Sequence, residues 1–373
     1  MAEKKTNGKK LRVSILYNEP LIGTEAGRQY VNERGQLKDE TLYAGGTPKA
    51  ARGKESAPVD LSEIGVVEEM DDLKEALNSL GYVTTTFNVD SNVARLLNHL
   101  RSEKPDLVFN IVECIENESI QEMNVAGLYE LLKIPYTGAG PLALGTSLNK
   151  PRVKEILLYN GIRTPQFQVF HPGERIQLRE DLRFPLIVKP AHEDGSVGIA
   201  DASVVYSLAE LRRRARYVFE HLEQPALVEE FVDGRELNSA IIGNNPPLAL
   251  PISEIDFSGL TDDMHRIVSY DAKWMHGTVA YLGTNGLCPA KLSPTKEAEV
   301  KETALRCFKL FGLRDYARVD FRMTRNGTLY VLEVNPNPDI SDEAGFARSA
   351  RAQGWTFTET VGKIVESALE RYR

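Results

Sequence analysis

The stretch from Ala317 to Pro338, ARVDFRMTRNGTLYVLEVNPNP, constrains this chain more than any other. Two runs rich in β-branched and aromatic residues flank Asn326-Gly327, a dipeptide suited to the positive φ angles of a type I′ turn, so the stretch predicts a β-hairpin. A two-residue loop sets the register. It places Arg325 opposite Thr328, Met323 opposite Tyr330, Phe321 opposite Leu332, Asp320 opposite Glu333 and Arg318 opposite Asn335. Alternation then puts Arg318, Asp320, Glu333 and Asn335 on one face, and Val319, Phe321, Leu332 and Val334 on the other.

Two carboxylates directly across a strand pair repel each other and do not readily both ionise, so a cation is expected between them. The oxygen-bearing side chains of Asp320, Glu333 and Asn335 suit Mg²⁺, which takes a few carboxylates together with substrate phosphates. A solvated polar face, with each carboxylate paired to a lysine or arginine, would give the same pattern. Pro336-Asn337-Pro338 ends the second strand sharply.

At 373 residues the chain suits two or three domains. Its net charge of -8 weighs against a nucleic-acid partner, which calls for a basic face, and Arg212-Arg213-Arg214 reads as a solvated helical face. Cys114, Cys288 and Cys307 have neither metal nor disulfide spacing and fit a reducing cytoplasm. No apolar run approaches the roughly 20 residues that span a bilayer. The charged start MAEKKTNGKK lacks the apolar stretch of a secretory signal. A cytoplasmic protein acting on small molecules, without membrane or nucleic acid, is expected.

Taken in order, residues 11–17 predict a buried strand, followed by a long Gly- and charge-rich loop over 23–60. Apolar spacing predicts a helix through Val66, Met70, Leu73, Leu77 and Leu80 with Gly81 as its stop, a strand over 82–89, and a helix capped by Asp90. A strand over 106–112 and a helix through Met123, Leu128 and Leu131 follow, so the first part reads as a parallel, doubly wound α/β domain. Leu148-Asn149-Lys150 opens a further helix. Strands are expected over 184–190 and 199–205, and the loop between them, AHEDGSVG, offers backbone N–H groups to a phosphate beside Lys189. Residues 226–242 read as strand, Gly234 turn, strand, and 270–274 with 285–291 as loop and edge-strand material. A helix over 297–311 precedes the hairpin, and two helical stretches, the second through Phe357, Val361, Ile364 and Leu369, follow it.

Singly these signals are ambiguous, but their order is not. A lysine at 150, a strand ending in Lys189 before Gly195-Ser196-Val197-Gly198, V-E-E-F-V-x-G-x-E, D-A-K-W, C-P-A, and R-x-D-F…E-V-N-x-x-P resemble the ATP-grasp ligases, most closely the D-alanine–D-alanine ligase family. The resemblance runs from about Phe109 to the C-terminus. It implies an N-terminal doubly wound parallel-sheet domain (1–138), a central α+β subdomain (139–228) and a C-terminal α+β subdomain (229–373), with ATP held between the last two. Lys150, Lys189 and Lys273 would contact phosphates, under a loop of Gly195, Ser196 and Gly198. Glu229 and Val232 would lie near adenine, and Glu236 at the ribose. Asp320, Glu333 and Asn335 would hold Mg²⁺, two ions in the family pattern. Arg318, with Lys273 and Ser196, would stabilise the reacting groups. The implied reaction activates a carboxylate as an acyl phosphate and joins it to an amine, with amino acids or small peptides as substrates. A homodimer would be usual among such ligases.

The amino-acid half departs from the family. Glu19 or Glu25 would be the substitutes for the family's glutamate after the first strand, though neither aligns with it. Gly195 stands for a serine, Trp274 for a tyrosine, Asp339 for a glycine and Ala344 for a serine. The expectation is a D-alanine–D-alanine ligase-like enzyme with an altered amino-acid site. Asp339, Asp342 and Glu343 would suit a cationic amine. A genuine D-alanine–D-alanine ligase and an inactive ATP-binding regulator are the alternatives.

Overall fold

The computed structural model describes residues 10–19, 22–24, 27–31, 37–39, 65–116, 118–342 and 344–372. Its first sheet is parallel, with Arg12–Tyr17 between Val83–Asn88 and Leu107–Ile111. The apolar run of the first strand explains its central place, since a parallel strand is covered on both faces. Helix Val66–Ser79 buries Val66, Met70, Leu73 and Leu77, and Gly81 takes φ +88° just past its end. Leu80 is exposed instead. The next helix, Val93–Glu103, is capped by Asn92, whose side chain accepts from the Arg95 N–H; Asp90 pairs with the Arg95 guanidinium. The segment read as a loop carries three short antiparallel strands, Ile22–Thr24, Gly27–Val31 and Leu37–Asp39. The rest of 23–60, Glu25 included, lies outside the described residues.

A four-stranded antiparallel sheet follows, in the order Phe167–Phe170, Ala226–Glu230, Leu186–Pro190, Val204–Val205. Helix Leu208–His221 covers it, and Phe170, Leu186, Val188, Leu211, Val218 and Val228 form a separate core there. The strand expected over 199–205 is confined to its last two residues, because Asp201–Ser203 turns as a 3₁₀ segment. Arg214 is not on a solvated face. It is 9% exposed and its Nη2 donates to the Gly198 carbonyl at 2.5 Å.

The third sheet runs Asn285–Leu287, Ser253–Asp256, Gly234–Ile242, Tyr316–Thr324, Leu329–Asn335, with Leu248–Ala249 paired to Gly234–Ile242. Residues 226–242 are therefore not a hairpin. Their two strands belong to different sheets, and Phe231–Asp233 crosses between them. Tyr270–Trp274 is a short helix capped by Ser269 rather than a loop.

The 317–338 hairpin is present with a corrected register. Near the site Arg318 pairs with Asn335 and Asp320 with Glu333, as expected; from Phe321 onward the pairing moves by one, to Val331, Tyr330 and Leu329 for Phe321, Arg322 and Met323. The Gly327 N–H bonds the Thr324 carbonyl and the Thr324 N–H bonds the Thr328 carbonyl, closing a three-residue loop with Gly327 at φ +85°. A β-bulge next to Phe321 absorbs the difference. Leu332 consequently leaves the core, and Val331 is buried in its place.

Helices Pro141–Leu148 and Lys150–Tyr159 pack into a core shared by Leu16 and Val108 of the first sheet and Val319 and Val334 of the hairpin. Helix Phe357–Glu370 folds back on Val66–Ser79, and Gly345–Ala352 packs on strand Gly234–Ile242, with Phe346, Val361, Ile364 and Val365 in one core.

Candidate functional site

The facing carboxylates of the hairpin stand at the centre of the site. Arg318 and Asp320 lie two residues apart, hence on one face, and the guanidinium clamps the carboxylate with Nε–Oδ1 2.8 Å and Nη2–Oδ2 2.9 Å. Asn238, opposite Asp320 on the neighbouring strand, donates to the same Oδ1 at 2.7 Å. Burial pushes Asp320 up against the pull of Arg318. Burial also works against the Glu333 charge, but Lys150, Arg318 and Lys189 hold this carboxyl down to about 2. The facing pair is thus unequal, with Glu333 the firmly ionised member. Asn335 turns its Oδ1 toward the Asn337 N–H at 3.0 Å.

Lys150 reaches the pair from the opposite side. Asn149 caps its helix by accepting from the Arg152 N–H. Lys150 Nζ lies 3.6 Å from Glu333 Oε2 and 2.9 Å from Asp194 Oδ1, and it also donates to the Glu193 carbonyl. Burial opposes its charge, yet Asp194 and Glu333 keep the ammonium above its ordinary value.

The glycine loop lies over this lysine. Gly195, Ser196 and Gly198 all take left-handed φ, at +61°, +64° and +69°. Ser196 Oγ donates to the Val268 carbonyl at 2.9 Å, Trp274 Nε1 to the Gly195 carbonyl at 2.7 Å, and Tyr270 N–H to the Ile199 carbonyl at 2.8 Å. A cavity of about 50 Å³ remains between Lys150, Asp194, Ser196 and Glu333. Lys273 rests its Nζ 4.5 Å over the Trp274 ring, outside the ion-paired group.

Lys189 Nζ lies 3.2 Å from Glu229 Oε2. Glu229 is only 1% exposed, and its Oε1 is 3.1 Å from the wholly buried Lys154. Its side chain is therefore turned inward, between Lys154 and Lys189. Val232 lies on the crossing between the two sheets. Glu236 pairs with Arg322 at 2.8 Å, and burial raises its pKa despite that arginine. Asn238, Lys154 and Asp194 carry no sequence signal of their own, and Arg214 reads from sequence only as part of a solvated face. Their roles depend on contacts across sheets, apart from Asp194, which adjoins the glycine loop in the chain.

The region around Asn337 and Ile340, just past the hairpin, is acidic. Asn337 Nδ2 donates to Glu122 Oε1 at 2.9 Å, and the Ile340 N–H lies 3.4 Å from Glu69 Oε1. Burial raises both carboxyls well above the usual range; Asp339 and Glu113 add to this at Glu69, and Glu113 and Asp194 at Glu122. Glu19 accepts from the Tyr17 hydroxyl at 3.2 Å. Asp342 is engaged by Arg351, and Asp339 accepts from the Ser341 N–H at 2.8 Å. Ala344 is the N-cap of Gly345–Ala352 without a side-chain bond. Glu343 lies outside the described residues.

Among the described residues no three His, Cys, Asp or Glu side chains converge as a metal site. Two carboxylates and an amide on one strand pair do suit a Mg²⁺ that draws its other ligands from phosphate and water. The lysines at 150 and 189 supply the charge a polyphosphate needs.

Two antiparallel sheets meeting at such a cluster of lysines and carboxylates, beside a parallel α/β sheet, make this an ATP-grasp protein. The same fold is seen in the crystal structure of D-alanine–D-alanine ligase from Bacillus anthracis complexed with ATP, with a TM-score of 0.69 and 21% identity, covering 96% of this chain and 98% of that one. A family model described as D-ala D-ala ligase C-terminus matches residues 156–366. A D-alanine–D-alanine ligase of Carboxydothermus hydrogenoformans is 31% identical over 308 residues, 80% of this chain and 92% of its own. A relative from Sinorhizobium fredii, described as uncharacterized protein y4sG, is 30% identical over 307 residues, 81% of this chain and 88% of its own. The chain belongs to the D-alanine–D-alanine ligase family.

Proposed function

We propose that this chain is an ATP- and Mg²⁺-dependent carboxylate–amine ligase that forms an amide bond between amino-acid or small-peptide substrates. The observation that carries this reading is Asp320 facing Glu333, with Arg318 clamped on the first and Lys150 3.6 Å from the second. Asp320, Glu333 and Asn335 would hold the metal, and Lys150 and Lys189 the phosphates. Bound MgATP would supply phosphoryl transfer to a carboxylate, turning a poor electrophile into a good one. Arg318 would stabilise charge developing beside Asp320. No side-chain nucleophile is needed.

On the amino-acid side, Glu69, beside Asp339 and Glu113, and Glu122, beside Glu113 and Asp194, favour a substrate bearing an ammonium group, which would offset that repulsion. Asp342 does not support the cationic-amine idea, because Arg351 already engages it. Small-molecule substrates and a cytoplasmic setting belong to the same reading, as does a homodimer.

The test is trapping. With ATP, Mg²⁺ and hydroxylamine, a panel of L- and D-amino acids and dipeptides should yield a hydroxamate from the true carboxylate substrate. ATP binding without hydroxamate or ADP from any member would favour a nucleotide-binding regulator instead.

A further inference from the structure

Strand Tyr316–Thr324 carries a second arginine on the face of the site. Arg322 follows Asp320 by two residues, so both side chains share a face, and it stands directly opposite Glu236 on strand Gly234–Ile242. Arg322 is 4% exposed, and its guanidinium is held at three points. Nη2 lies 2.8 Å from Glu236 Oε2 and donates to the Arg266 carbonyl, while Nη1 donates to the Gly234 carbonyl at 3.1 Å. Its Cζ lies 5.4 and 6.0 Å from the ring centres of Phe257 and Phe231. Among the described residues Glu236 is bonded through Oε2 only.

We propose that Arg322 is a positioning residue for ribonucleotide selection: it holds Glu236 as a fixed acceptor, with Oε1 left for the hydroxyls of a ribose, and so sets the preference of the site for ATP over a nucleotide that lacks those hydroxyls. The inference rests on the ATP-site reading given above, with Glu236 at the ribose.

A carboxylate offers about four lone-pair sites, so the arginine at Oε2 leaves room for both hydroxyls of a vicinal diol. An ionised acceptor bonds a hydroxyl more strongly than a neutral one does, but an untethered glutamate would give up rotamer freedom to do so. The guanidinium removes that freedom in advance, because its planar fork is itself tied to two backbone carbonyls. Burial pushes the Glu236 carboxyl up and Arg322 pulls it down; the charges of Asp320, Lys189 and Glu333 also reach it, so this carboxylate faces the ion-paired cluster. Stability alone does not call for an arginine here, because an apolar pair of similar volume usually serves it as well as a buried ion pair.

Calorimetric binding of ATP and of dideoxy-ATP, which lacks both ribose hydroxyls, to the full chain reads this role as the ratio of the two dissociation constants. The starting protein should bind dideoxy-ATP about 30-fold more weakly than ATP. Arg322→Lys keeps a positive charge beside Glu236, but one ammonium cannot span the carboxylate and both carbonyls, so the ratio should drop below about tenfold. In Arg322→Met, which leaves Glu236 untethered, it should drop below about threefold. A role confined to folding would lower the thermal midpoint, or weaken both nucleotides alike, and leave the ratio at its starting value. An unchanged ratio in Arg322→Lys, or a starting protein that binds the two nucleotides equally, would overturn the proposal. If Arg322→Met does not fold, the lysine variant decides. Failure of the ATP-site reading itself would look different, since the starting protein would bind neither nucleotide.

Discussion

Arg318 holds both oxygens of Asp320, while Glu333 keeps its charge with help from Lys150. The same face thus carries a metal-type carboxylate pair and the guanidinium suited to charge that appears during reaction. A lysine at 318 would keep the charge but lose the two-point clamp, because an ammonium cannot reproduce the planar fork. Arg318→Lys should therefore lower kcat by about 10²-fold while leaving ATP affinity nearly unchanged, as steady-state kinetics and calorimetry would show. At this scale the cluster itself was legible in the sequence, because strand alternation alone puts Arg318, Asp320, Glu333 and Asn335 together. The inward contact of Glu229 was not legible: its partner, Lys154, lies on a separate helix, and no local pattern announces that contact.

Elements tell a similar story with one compensation. The Asn326-Gly327 signal correctly located the turn, but Gly327 closes a three-residue loop and not a two-residue one. The bulge then restores Asp320 to Glu333. Dipeptide chemistry identifies a turn, whereas bulges depend on how the strand must bend over its core, so the site-end register was right and the tip register was not. Residues 226–242 read as strand, Gly234 turn, strand for the same local reason; the crossing at residues 231–233 is set by which sheet each half pairs with. Gly234 begins the strand after that crossing, and a Cβ there would lie 2.1 Å from the Met323 carbonyl oxygen. Backbone must shift to admit any side chain. Gly234→Ala should destabilise the protein by about 1–3 kcal/mol, measured by denaturant unfolding.

Over the whole molecule, the first sheet and the hairpin sheet share cores, while the central sheet keeps its own. The chain's end ties the first two parts together. Arg371 bonds Asp315 at 2.8 and 2.6 Å and the Tyr136 carbonyl at 2.6 Å, and Asp315 is 0% exposed. Asp315 also receives the Gly138 N–H and the Asn244 amide, each at 2.9 Å. Arg371→Ala strands that buried carboxylate and should cost about 3 kcal/mol, seen as a lower thermal midpoint. None of this was legible from sequence, where Asp315, Tyr136 and Arg371 are separated by long stretches and share no motif. The ligase account converges on one measurement: ADP and phosphate release from MgATP with paired amino acids or dipeptides, compared between the starting protein and Glu333→Gln. Release that requires a carboxylate and an amine together, and that disappears in Glu333→Gln, is the predicted result; release at the same rate in both proteins would contradict the account.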